Sequence, residues 1–178
     1  MVFCPRWETR VPWTAPAYLL EAVRGAGFSA QYLDYNIRLF AENATPELWN
    51  ENIHHQFWMT QPLEYFIDQV DINEIDAPVV GFSLTLTNFR FSIELAKRLK
   101  KLDPDKIILF GGHLVFFGED LQHLIPFDVC DAVVKGEGET TLIDILQNGL
   151  NKNKGTFTPE DDKWVFNGER ELIKDLDK

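Results

Sequence analysis

Histidine and cysteine are scarce in this chain of 178 residues, with four of the first and two of the second. Cys4 and Cys130 stand far apart, and neither belongs to a C-x2-C pair. No zinc or iron–sulfur site is therefore written into the chain. Two lone cysteines in an acidic chain suit the reduced thiols of the cytoplasm. Basic residues are outnumbered, 17 Lys and Arg against 28 Asp and Glu, for a net charge of −11. Nucleic acid and anionic membrane surfaces both demand a basic patch, so neither is expected as a partner. The acidity reads as a solubility feature. No apolar run approaches the roughly 18 residues of a membrane span. The N-terminus lacks the charged-then-apolar pattern of a secretory signal. Internal repeats and low-complexity tracts are absent too.

What is present is an alternation. At 45% hydrophobic the chain can bury a sizeable core, and its length suits one domain with a small appendage. Five short apolar runs read as strands: Val2–Cys4, Ser29–Asp34, Pro78–Ser83, Lys106–Phe110 and Ala132–Lys135. The third and fourth are nearly continuous in apolar residues, as in strands covered on both faces of a parallel sheet. Between them lie helical stripes at Leu19/Ala22/Val23/Ala26, Phe89/Ile93/Ala96/Leu99 and Leu142/Ile145/Leu146/Leu150. Gly27 supplies a stop for the first. Lys97, Arg98, Lys100 and Lys101 gather at the negative end of the second. This predicts an α/β fold: a doubly wound, five-stranded parallel sheet of Rossmann or flavodoxin-like type, order 2-1-3-4-5. Two regions break the rhythm. Residues 36–77 are long for a crossover and carry enough aromatics for two helices of their own. Trp164-Val-Phe followed by Asn167-Gly168 reads as a type I′ hairpin signal in a small C-terminal β-ribbon. The expected division is an α/β domain over 1–154, then ribbon and linker over 155–178.

Ligands of open α/β sheets sit outside the carboxyl ends of the strands. Here those ends read Cys4-Pro-Arg-Trp7, Gly81-Phe-Ser-Leu-Thr-Leu-Thr87, Gly111-Gly112-His113 and Gly136-Glu-Gly-Glu139. Glycine lets a ligand approach the backbone, and hydroxyls bond to it without charge. Each motif also has a local explanation. Gly111-Gly112 can be a turn, Ser83-x-Thr85-x-Thr87 a helix cap, and Gly136–Glu139 a turn feeding a helix. Local turn chemistry does not require that all three fall at successive strand ends. A dinucleotide fingerprint should follow the first strand; the nearest match follows the fifth and carries carboxylates that repel a diphosphate. A P-loop is absent. A flavodoxin-type phosphate loop would need hydroxyls after the first strand, where Pro5, Arg6 and Trp7 stand. A phospho-receiver domain needs an aspartate where Ser83 stands. A large, mostly neutral ligand remains.

Pro78-Val-Val-Gly-Phe-Ser83, Ile107-Ile-Leu-Phe-Gly-Gly-His113 and Cys130-Asp-Ala-Val-Val-Lys-Gly-Glu-Gly-Glu139 resemble the N-terminal cobalamin-binding domain of cobalamin-dependent radical S-adenosylmethionine enzymes. That group includes the anaerobic magnesium-protoporphyrin monomethyl ester cyclases. The resemblance covers about residues 10–177. It implies that Ser83, Leu84 and Thr85, with Thr87 beyond, lie beside the nucleotide tail of cobalamin. It places Gly111 and Gly112 under that tail, with His113 following. Gly136, Glu137 and Gly138 complete the implied cofactor-binding set, and Glu137 and Glu139 would accept hydrogen bonds from ligand amides or contact a neighbouring domain. It implies no catalytic residue and no protein metal ligand.

Two departures shape the expectation. Cobalamin domains of another type carry D-x-H-x-x-G after the first strand, the histidine ligating cobalt. Cys4–Thr14 contains no histidine, so bound cobalamin would be base-off without a protein imidazole. His54-His55 reads as a surface or packing pair. The second departure is that C-x3-C-x2-C is absent, so the iron–sulfur cluster and S-adenosylmethionine would belong to a separate radical domain, joined in cis or in trans. The chain is expected to be a binding module rather than a catalyst by itself. The alternatives are an interaction domain that kept the fold without the ligand, favoured by bulky Trp7 and Trp13, and an independent enzyme on a flavodoxin-like scaffold.

Overall fold

The computed structural model describes residues 1–5, 14–45, 47, 61–116 and 124–171. Trp7, Trp13, His54 and His55 lie outside the described residues. Strands β1 (Val2–Phe3), β2 (Leu33–Asp34), β3 (Val79–Ser83), β4 (Ile107–Gly111) and β5 (Ala132–Val134) pair in parallel in the order 2-1-3-4-5. All five fall on the apolar runs, β2 reduced to the last two residues of its run and β4 reaching one residue further, to Gly111.

The ribbon does not stand apart. Its strands β6 (Thr156–Glu160) and β7 (Lys163–Phe166) extend the same sheet, β6 lying antiparallel to β5 and β7 to β6. The hairpin turn is Asp161-Asp162, with φ of 47° and 58°, and not Asn167-Gly168. Two consecutive positive φ values match a type I′ turn, and aspartate tolerates them better than most residues. Asn167 instead braces the base of the ribbon, its amide donating to the hydroxyls of Thr156 and Thr158 at 3.0 Å each. Arg170 ties the same end to the helix beneath through Asp144 at 2.6 Å.

The helices are α1 (Ala15–Gly25), α2 (Tyr35–Asn43), α3 (Leu63–Ile67), α4 (Phe89–Leu102) and α5 (Glu139–Asn148). Helix α1 begins with proline in its first turn and closes on Gly27 at φ +88°. There Phe28 N–H donates to Val23 O and Gly27 N–H to Arg24 O, a Schellman end that satisfies two orphan carbonyls. Asp34 caps α2, its carboxylate accepting from Ile37 N–H at 2.9 Å. Within the long crossover, α2 and α3 are followed by a 3-10 turn over Ile72–Glu74.

The period-two alternation of the strands divides the core. Val80, Phe82, Ile108, Phe110 and Val133 face one way and pack with Tyr35, Leu39, Phe40, Phe66, Ile67, Phe91, Leu95 and Leu99. Phe82 and Phe110 meet edge to face at 5.5 Å, a contact worth about 0.5–1.5 kcal/mol beyond area burial. The other face is thinner. Leu109, Ala132 and Ile145 are buried there, with Val79, Ile107, Leu142 and Leu150 packed around them. Helices α1 and α5 pack on each other on this side. The unequal filling of the two faces makes room for the site.

Candidate functional site

On the thin face a cavity of about 580 Å³ runs between the sheet and helices α1 and α5. That volume falls within the roughly 300–1,000 Å³ of ordinary ligand pockets. Its floor is Val79, Gly81 and Ser83 of β3 with Leu109 and Gly111 of β4 and Val134 of β5. Leu19, Leu20 and Val23 of α1 form one wall, and Leu142 and Leu146 of α5 the other. Leu19, Leu20, Leu142 and Leu146 are only half-buried because they look into this space. Gly112, Gly136, Glu137, Gly138 and Glu139 border the cavity at the carboxyl ends of the strands. At the amino ends it is bordered by Ser29, Gln31, Glu74, Asp76 and Ala77. Charge is confined to the two ends and the middle is apolar.

The register explains the floor. Ser83 pairs with Gly111 and Gly81 with Leu109, so the cavity face of the two central strands reads Val79/Ile107, Gly81/Leu109, Ser83/Gly111. Two glycines thus lie on neighbouring strands of one face. Their neighbour Gly112 is glycine for a reason internal to the fold. It has φ +95°, and a Cβ there would come within 2.8 Å of Leu84 N and 2.9 Å of Leu84 O. Gly136, at φ +77°, turns the chain from β5 into the loop before α5. Gly138 sits close under α1, where a Cβ would come 3.1 Å from a methyl of Leu19.

Of the residues singled out in the sequence, Ser83, Gly111, Gly112, Gly136, Glu137 and Gly138 line the cavity, as does Glu139. Leu84, Thr85, Thr87 and His113 do not. The Leu84 side chain is fully buried in the core on the opposite face. Its backbone clamps the rim, N–H donating to Gly111 O at 2.7 Å and O accepting from Leu114 N–H at 3.2 Å. Thr85 and Thr87 share a hydroxyl hydrogen bond at 3.0 Å within the turn that leads into α4. His113 is exposed in a 3-10 turn over His113–Phe116.

Two residues escaped the sequence reading. Asn88 is fully buried and holds the turn from both sides. Its Oδ1 accepts from Thr85 N–H at 2.7 Å and its Nδ2 donates to Ser83 O at 3.0 Å. The signal was an asparagine five positions after the serine that ends β3, where side-chain capping is common. Gly81 is the other. A glycine inside an otherwise apolar strand often marks a close approach of something to the backbone.

Burial pushes the Cys4 thiol up to about 12 and the Cys130 thiol up as well, so neither is a nucleophile near neutral pH. Among the described residues no group of His, Cys, Asp and Glu is placed to hold a metal ion. No described helix is long and apolar enough to cross a membrane. On the cavity wall Oε2 of Glu139 is buried with no hydrogen-bond partner among the described residues. Such an atom is costly unless a ligand satisfies it.

A mostly parallel sheet with a cavity along one face, beneath the apolar sides of α1 and α5 and reaching the carboxyl rim, is the arrangement of a ligand-binding module of the doubly wound class. The model of the B12 binding domain family matches residues 8–146, and the chain belongs to that family. The chain is also similar in fold to a radical S-adenosylmethionine methyltransferase, TsrM, from Kitasatospora setae, whose structure holds cobalamin and a [4Fe-4S] cluster. The TM-score is 0.60 at 16% identity, and the match covers 99% of this chain and 30% of that one. The chain therefore spans less than a third of the structure it resembles. No curated protein sequence matches it.

Proposed function

We propose that this chain is the cobalamin-binding module of a radical S-adenosylmethionine enzyme, and that its cavity takes the nucleotide tail of the cofactor. The observation that carries the reading is the apolar space between the sheet and helices α1 and α5. It begins at Ser83, Gly111, Gly112 and Gly136 on the rim and passes inward over Gly81. The residues fit the group. A flat heteroaromatic base suits apolar walls and a glycine floor, and the broad corrin does not enter a space of about 580 Å³ together with its tail. Ser83 offers a hydroxyl at the mouth, and Glu137 and Glu139 offer acceptors for hydroxyl or amide donors of the ligand. When bound, the cobalt supplies methyl transfer or related carbon-centred chemistry, and the protein supplies position.

The radical chemistry belongs to a separate domain, in cis or in trans, since two buried and distant cysteines build no cluster. With its tail in the cavity the cofactor is held base-off, and positions 4–14 hold no histidine to supply an imidazole in place of the base. A cytoplasmic setting agrees with reduced thiols.

The test is direct. The purified chain mixed with hydroxocobalamin is expected to co-elute with it as a coloured complex on gel filtration. Reduced to the Co(II) state, the complex is expected to give an electron paramagnetic resonance spectrum without splitting from an axial nitrogen. A colourless protein peak with free cofactor eluting later overturns the reading and leaves a ligand-free interaction domain.

A further inference from the structure

Gly81 has no reason within the fold to be glycine. It lies in the interior of β3, paired with Leu109, and its φ is not positive. A Cβ built on it meets nothing within 4 Å. Gly112, three positions nearer the rim than Gly81's partner Leu109 and just past the end of β4, is the opposite case, since both its φ and the Leu84 backbone forbid a side chain. A glycine inside a strand costs stability relative to alanine or valine, because it packs nothing and loses more freedom on folding. Here that cost is met with no structural return, and the empty position faces the cavity.

We infer that Gly81 is the clearance residue that sets how deep, and in what shape, the ligand enters: a flat aromatic ring lies on the bare backbone of β3 at Gly81. The inference rests on the corrinoid reading above and adds a determinant of specificity to it. The lateral walls at this level are Leu19 and Val23 on one side and Leu142 and Leu146 on the other, all apolar. The cavity's acids, Glu137 and Glu139 at one end and Glu74 and Asp76 at the other, border its mouths. The middle therefore favours an uncharged ring. A side chain at position 81 would stand where the ring lies. Corrinoids that carry a nucleotide base should depend on this glycine, and corrinoids that lack one should not.

The experiment measures binding of hydroxocobalamin and of cobinamide, which has no nucleotide, to the chain and to its Gly81→Ala and Gly81→Val variants. The thermal midpoint of each ligand-free protein is recorded alongside. Overpacking the ring's place is expected to weaken cobalamin binding by about tenfold or more in Gly81→Val and less in Gly81→Ala. Cobinamide binding should stay unchanged, and the ligand-free variants should melt at or above the parent temperature because a valine suits a strand and fills empty space. Cobalamin affinity unchanged in Gly81→Val overturns the inference. Equal loss of both corrinoids in both variants does so as well, since it reports damage to the rim rather than a depth limit. If the parent chain binds neither corrinoid, the corrinoid reading itself has failed, an outcome distinct from both.

Discussion

Gly112 rests directly on the main chain of Leu84: the space a Cβ would need lies 2.8 Å from Leu84 N, 2.9 Å from Leu84 O and 2.9 Å from the Ser83 hydroxyl. Leu84 N–H in turn donates to Gly111 O, so the ends of β3 and β4 are stitched across this point. The rim of the cavity is thus set by backbone meeting backbone, which has no flexible end to give way.

Substituting Gly112→Ala should therefore destabilise the chain by about 1–3 kcal/mol, from the positive φ and the collision together. The denaturant midpoint measures it. The same variant should weaken cobalamin binding, because Ser83 and Gly111 must shift to accommodate the methyl group.

Asn88→Ala should be costly in the same place by a different route. It leaves Thr85 N–H and Ser83 O without the partners they now have at 2.7 Å and 3.0 Å. Each unsatisfied buried group costs about 1–3 kcal/mol. Asn88→Asp keeps the acceptor for Thr85 N–H but loses the donor to Ser83 O and buries a carboxylate, so its urea midpoint should also fall below that of the parent. A midpoint for Asn88→Ala equal to the parent's would show that water replaces the amide.

The two thiols should be silent in the folded chain. Cys4 is fully buried, and that burial first of all, with Asp34 nearby, lifts its thiol to about 12 from the usual value near 9, against a lowering bond from Ser92. Iodoacetamide at pH 8 is expected to leave the native chain unmodified and to label both cysteines in guanidinium chloride. The linkage has a definite sign. An unfolded thiol ionises near 9 while folded Cys4 stays protonated, so stability is unaffected below that pH and is lost as pH rises from about 9 toward 12. Cys4→Ala should flatten that alkaline limb.

Acid should loosen the ribbon end. Asp144 is held below the usual carboxylate range, first by the Asn148 amide at 2.9 Å and then by the Arg170 guanidinium at 2.6 Å. A depressed folded value contributes stability above the ordinary aspartate range near ~3.9 and loses it as pH falls through the folded value. Asp144→Asn should remove that part of the acid slope in a thermal unfolding series. Because both side chains are partly exposed, the effect should shrink in high salt.

The strands were legible because burial on two faces leaves a sequence mark that needs no tertiary context: Val79–Phe82 and Ile107–Phe110 are apolar without interruption. The helix ends at Gly27 and at Lys100-Lys101 were legible for local reasons as well. Asn167-Gly168 misled, because a residue pair suited to a turn is also suited to a brace, and Asp161-Asp162 made the turn once β6 and β7 had their register. Leu84 and Gly81 show the deeper limit. Both sit in the motif that draws attention, yet alternation sends Leu84 into the aromatic core and leaves Gly81 facing the cavity.

By itself the sequence determined the α/β alternation and the glycine-rich and hydroxyl-rich segments at the strand ends, since hydrophobic period and turn residues are properties of short stretches. Only the tertiary structure decided which face of the sheet stays underfilled and which glycine serves the fold and which serves the space. Those depend on the distance between backbones remote in the chain, as Gly112 to Leu84, or on the lack of any neighbour, as at Gly81, and no local pattern carries either.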